Sequence, residues 1–124
     1  MENKYESSHR PTEIRIKKKE KVLEVDFDNG QSFQLPAELL RVESPSAEVQ
    51  GHGPSEKKII SGRRHVGIMA VEAVGNYAIR IKFDDLHDTG IYSWDTLYNS
   101  GEHQDEIWTK YLIELKARGL SRDP

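Results

Sequence analysis

Apolar and polar positions alternate most cleanly where Tyr77, Ile79, Ile81 and Phe83 are interleaved with Ala78, Arg80 and Lys82. A period of two predicts a strand with one buried and one wet face. Gly75-Asn76 precede it and tolerate positive φ, so residues 68–74 should fold back as its antiparallel partner. That run is apolar on both parities except at Glu72, the pattern of a central strand. Further on, Ile91-Tyr92 is a short apolar return. Ser93 is a good N-cap for a helix carrying Trp94, Leu97 and Tyr98 on one face and closing near Gly101.

The first half carries a second set of strands. Residues 1–11 are polar and aperiodic and read as a flexible tail, leaving 12–124 as a single domain. Ile14 and Ile16 alternate with charged residues, and Leu23, Val25 and Phe27 give a second inward row. Asp28-Asn29-Gly30 is a strong hairpin signal before a third strand with Phe33 and Leu35 inside. Pro36 suits the first position of a short helix, 36–42. Residues 43–65 then form an irregular stretch of low apolar content, of a length commonly functional or disordered. A last helix is expected over 105–118, with Ile107, Trp108, Tyr111, Leu112 and Leu115 as its apolar face and Gly119 as its stop. The expected fold class is α+β, an antiparallel sheet of five or six strands with two or three packed helices.

Composition narrows the function classes. The 124 residues contain no cysteine, which excludes disulfides, thiolate metal ligands and a cysteine nucleophile. No apolar run approaches a membrane span, no signal-peptide core is present, and the expected compartment is the cytoplasm. A net charge of -3 argues against a dedicated nucleic-acid binder.

Several residue groups are candidates for chemistry. Asp84, Asp85, His87 and Asp88 form an oxygen-rich turn of the kind that binds hard cations, although these are also ordinary turn residues without calcium-loop spacing. Asp88-Thr89-Gly90 is the tripeptide of aspartic proteases, but its charged surroundings suit a loop better than an apolar dyad. His103-Gln104-Asp105 has the H-x-D spacing of an iron facial triad, yet no second histidine follows, and the pair marks a helix entry instead. Lys57, Lys58, Arg63, Arg64 and His65 are a basic patch for phosphates or an acidic partner, or a solvated loop. Ser44, Ser46 and Ser61 become nucleophiles only with a base beside them.

The segments 35–42, 44–49 and Gly51-His52-Gly53, with Val74-Gly75-Asn76-Tyr77 and 84–94, resemble a small bacterial family of unknown function that shares the N-terminal domain of gamma-butyrobetaine hydroxylases. In those hydroxylases the domain precedes a 2-oxoglutarate, iron(II) dioxygenase domain and carries a structural zinc, held by a C-P-C-x-x-C run and one downstream histidine. The resemblance puts the cysteine positions on Ser44, Ser46 and Val49 and the histidine on His87. Three of those ligands are replaced, so no cofactor is expected, and dioxygenase turnover is not carried over. Similar domains are also fused to Mrp-type P-loop ATPases of iron-sulfur cluster assembly, which implies an accessory role.

The leading expectation is therefore a non-catalytic binding or adaptor module with a protein partner, accessory to iron-sulfur cluster assembly or to a partner oxygenase. Its expected surface is Ser44, Ser46, His52, Arg63, Arg64, Asp84, Asp85, His87 and Asp88. The alternatives are a metal-binding protein using His87 with the neighbouring acids and His52, and a non-catalytic remnant of a gamma-butyrobetaine dioxygenase-type enzyme.

Overall fold

The computed structural model describes residues 9–124, apart from the side chain of Pro54. Its strands form two three-stranded antiparallel sheets rather than one sheet. The first is a meander of β1 (Pro11–Lys17), β2 (Val22–Phe27) and β3 (Ser32–Pro36). The second is a meander of β4 (Ile68–Val74), β5 (Ala78–Phe83) and β6 (Ile91–Ser93). Four helices complete the fold: α1 (Ala37–Val42), α2 (Ala47–Gln50), α3 (Trp94–Glu102) and α4 (Gln104–Ala117), with a 3-10 turn at Pro54–Glu56.

Each sheet has one apolar and one charged face, and this explains the division. Leu23, Val25, Phe27 and Leu35 from the first sheet share one core with Ile68, Ile79, Ile81, Phe83 and Tyr92 from the second. Leu97 and Tyr98 of α3 and Leu40 of α1 close it. The outer faces are laced by ion pairs, Arg15 with Glu24 and Asp26 on one sheet and Glu72 with Arg80 and Lys82 on the other. Two half-wet sheets thus bury each other's apolar faces, where a single sheet would have needed helices to do so.

Four local expectations change. β4 lies at an edge of its sheet, and a register shift between Ile68 and Ala70 leaves Met69 55% exposed. Apolar residues on both parities therefore reflect a bulge here, not burial on both faces. Val74 pairs with Ala78, so Tyr77 belongs to the turn and β5 starts one residue later. Pro36 ends β3 and caps α1 from outside, with φ −61 and ψ 141. Of the stretch read as a tail, residues 1–8 lie outside the described residues, whereas His9 stacks on Tyr98 and the Arg10 carbonyl accepts from the Asp28 amide.

Residues 43–65 contain α2 and the 3-10 turn and are tied down along their length. Val42, Tyr111 and Leu115 form a second small core with Ile59, Ile60 and Trp108. The amides of Gly62 and Arg64 donate to the carbonyls of Ser121 and Arg122, and the Arg122 guanidinium pairs with both oxygens of Glu38. The C-terminal residues thereby pack alongside the loop.

Gly101 tests how tightly α3 seats on the first sheet. A Cβ there would lie 2.2 Å from the Phe33 ring, although alanine is normally the better helix former by about 1 kcal/mol. Gly101→Ala should therefore destabilise the protein by about 1–3 kcal/mol in urea unfolding. In a Phe33→Ala background the same change should become neutral or stabilising. A stabilising Gly101→Ala in the native background would show that α3 does not sit this close.

Candidate functional site

The turn leaving β5 and the loop leaving α1 meet at one end of the second sheet. At the turn, the Phe83 amide donates to the His87 carbonyl and the Leu86 amide to the Phe83 carbonyl. This reverses the chain within a few residues and forces Leu86 to φ +73. In the loop, Ser46 caps α2 by accepting from the Glu48 amide. The cap aims the first turn of α2, with Glu48, at the β5 turn.

The two segments are joined by the His87 ring, which is 5% exposed. Its Nε2 is 2.9 Å from Ser44 Oγ and its Nδ1 is 3.0 Å from Glu48 Oε2. An ionised carboxylate only accepts, so Nδ1 donates to Glu48, and in the neutral ring Nε2 is then the acceptor for the Ser44 hydroxyl. Ser44 Oγ in turn accepts from the Ser46 amide. Ser46 Oγ bonds Thr89 Oγ1 at 2.7 Å, a second tie between the same segments.

This is the serine, histidine, carboxylate order of an activated nucleophile. The fold supplies the base that Ser44 lacked in the sequence. However, Ser44 is 0% exposed, and a Cβ on Gly90 would lie 2.5 Å from its Oγ. The backbone at Gly90 lies directly over the hydroxyl. With no access for a substrate, the arrangement works as a clamp.

Asp85 makes a second junction. Its Oδ2 accepts from Arg41 Nε at 2.7 Å and Arg63 Nε at 2.8 Å, and its Oδ1 accepts from the His87 amide. Burial pushes the Asp85 carboxyl up, but the bonds from Arg41, the His87 amide and Arg63, together with the Arg41 charge, outweigh it and hold the group below its ordinary value. Among the described residues, Arg41 Nη1 is buried with no hydrogen-bond partner.

The expected surface therefore divides. Ser44, Ser46 and His87 are interior residues. Asp85 and Arg63 pair with each other, and Asp84 Oδ1 accepts from the Gly67 amide. Asp88 and His52 are exposed, the His52 amide donates to Glu56 Oε2, and Arg64 pairs with Asp123. His103 approaches Glu102 and Glu106, at a helix junction. Glu48, Arg41 and Leu86 were not singled out by sequence. Arg41, a lone cation in the apolar run of α1, was the visible signal.

Among the described residues, no group of three or more histidine, aspartate or glutamate side chains is arranged to hold a metal ion. The zinc implied by resemblance does not fit the donor set, because Ser44, Ser46 and Val49 offer two hydroxyls and a hydrocarbon beside one imidazole.

Residues 14–98 match the family described as gamma-butyrobetaine hydroxylase-like, N-terminal. Two solution structures determined by NMR are similar to the chain. One is 45% identical, covers 100% of this chain and 92% of its own, and superposes with a TM-score of 0.83. The other is 44% identical over 95% and 93%, with a TM-score of 0.82. A crystal structure of a protein of unknown function in the DUF971 family, from Acidithiobacillus ferrooxidans ATCC 23270, is 39% identical over 71% of this chain and 88% of that one, with a TM-score of 0.60. No curated protein matches the chain.

Two outcomes follow from this geometry. The Asp85 carboxyl sits below its ordinary value near 3.8, so its pairing contributes stability above that pH and loses it as pH falls through the depressed folded value. Asp85→Asn should cost about 2–3 kcal/mol at neutral pH and weaken the acid-side loss of stability in urea titrations. An unchanged profile would mean that the two guanidiniums do not depend on this carboxylate. The second outcome uses the polarity of His87, whose Nδ1 is held by a carboxylate while Nε2 faces the loop, as in metal-ligating histidines. Ser44→Cys, Ser46→Cys and Val49→Cys combined should create a zinc site that raises the melting temperature by several degrees. His87→Ala in that background should abolish the gain; equal zinc stabilisation without His87 would disprove the convergence.

Proposed function

We propose that this chain, which belongs to the gamma-butyrobetaine hydroxylase-like N-terminal family, is a non-catalytic docking module that meets a protein partner through the turn at Leu86. The observation that carries the reading is Leu86 itself, a large apolar side chain 85% exposed on a backbone at φ +73. A left-handed conformation costs a leucine on the order of 1 kcal/mol, and glycine or asparagine would fill it without that cost. Strain of this kind persists where the surroundings enforce it and clusters at ligand clamps and switch regions. The bonds from the Phe83 and Leu86 amides, with Asp85 and His87 anchored beneath, enforce it here.

The surroundings of Leu86 define the partner's chemistry. Asp84 and Asp88 flank it as exposed acids, and the Glu48 side chain is largely exposed beside the buried His87 ring. An apolar knob with an acidic rim fits an apolar pocket bordered by lysine or arginine. Proteins of iron-sulfur cluster assembly and partner oxygenases are the classes to test first. The burial of Ser44 supports the non-catalytic part of the reading.

Leu86→Gly separates the two properties that leucine combines. It should hold or raise the unfolding free energy, by up to about 1 kcal/mol. Partner capture should nevertheless fall by about tenfold or more, because burying a leucine is worth roughly 1.5–3 kcal/mol. Capture should also weaken with salt and with Asp84→Asn and Asp88→Asn. Partners retained equally by the native protein and Leu86→Gly would overturn the assignment of this turn.

A further inference from the structure

We infer that the cleft between residues 50–59 and α4, on a different surface from Leu86, binds a phosphorylated polyol of the sugar-phosphate class. The cleft is a half-open surface groove of about 680 Å³, a volume within the range of small-molecule sites. One wall is a stripe of α4, where Lys110, Glu114 and Arg118 recur every four residues and so fall on one side of the helix. Neighbours at that spacing commonly pair, yet among the described residues neither Lys110 nor Arg118 forms an ion pair with Glu114 or with any other acid. Two cations and a carboxylate therefore face the cleft with their polar groups uncommitted.

The opposite wall comes from the loop. Gly51 sits at φ +66, and a Cβ there would lie 2.6 Å from the Glu56 side chain, so the sharp entry into this wall requires glycine. Gly53 has open space where a Cβ would project, allowing a ligand to approach the backbone closely. Ser55 is exposed beside it, with a hydroxyl that can donate or accept. Lys57 also lines the cleft, but its charge is met by Glu43.

This chemistry selects among ligand classes. Lys110 and Arg118 favour a phosphate group, for which guanidinium and ammonium donors are well suited. Glu114 between them repels a bare anion and accepts hydrogen bonds, which calls for hydroxyls on the same ligand. Among the described residues, the lining contains no aromatic ring on which a base would stack, so a single-stranded nucleic acid is disfavoured. A phosphate ester of a polyol meets all of these requirements.

The test is an amide-resolved NMR titration of the full chain with a hexose 6-phosphate, the free hexose, inorganic phosphate and sulfate. The hexose phosphate should produce saturable shifts at Gly51, Gly53, Ser55 and Lys110, with phosphate weaker and the free hexose silent. Lys110→Gln with Arg118→Gln should weaken hexose phosphate binding at least about tenfold. Glu114→Gln should weaken hexose phosphate but leave or strengthen inorganic phosphate. These variants should retain the native melting temperature and any partner capture that depends on Leu86, so the two sites stand or fall separately. Absence of saturable shifts, or equal shifts with sulfate and hexose phosphate, would overturn the inference.

Discussion

The structure depends on a buried imidazole that is hydrogen-bonded on both sides. His87 belongs to the turn after β5, whereas Ser44 belongs to the loop after α1 and Glu48 to α2. An interior imidazole with either nitrogen unpaired would lose the hydrogen bonds water had provided, at a cost of about 1–3 kcal/mol. Only the juxtaposition of both segments satisfies it. The ring therefore fixes the start of a long irregular stretch to the end of the second sheet, and Ser46 with Thr89 repeats the tie beside it.

Asp85 extends the same logic with charge. A half-buried carboxylate is costly alone, and a buried guanidinium such as Arg41 more so. Placing Asp85 between Arg41 of α1 and Arg63 of the loop offsets both and links three segments through one oxygen. Its Oδ1 also holds the His87 amide, so the ionic junction and the imidazole clamp share a backbone. Leu86 lies between these two anchored residues, which is why its strained conformation is held and its side chain faces outward.

The stretch 43–65 shows how an apolar-poor segment becomes ordered. Only a few of its side chains, Val49, Ile59 and Ile60 among them, are available to bury, too little by themselves to offset the entropy of ordering it. Order comes from its neighbours: Tyr111 donates to the Ile60 carbonyl, Lys57 pairs with Glu43, and the Gly62 and Arg64 amides bond the C-terminal residues. The Arg122 guanidinium completes this by pairing with Glu38 over the Trp108 ring.

By itself the sequence determined the elements whose cause is local. The alternation through Ile79, Ile81 and Phe83, the Asp28-Asn29-Gly30 turn, the Ser93 cap and the last helix are each settled within a few residues and form as expected, except that Leu112, expected on the apolar face of α4, is 40% exposed while Tyr111 and Leu115 are buried. The family was legible too, because its motifs are short and contiguous. The tertiary structure alone decided that the strands divide into two sheets, since alternation marks a buried face but not what covers it. It also decided that Ser44, Ser46 and His87 are interior, that Glu48 bonds the His87 ring and Arg41 bonds Asp85, and that Leu86 is left outside. Those outcomes depend on contacts between residues about forty positions apart, and a linear pattern carries no record of which distant donor will face which acceptor.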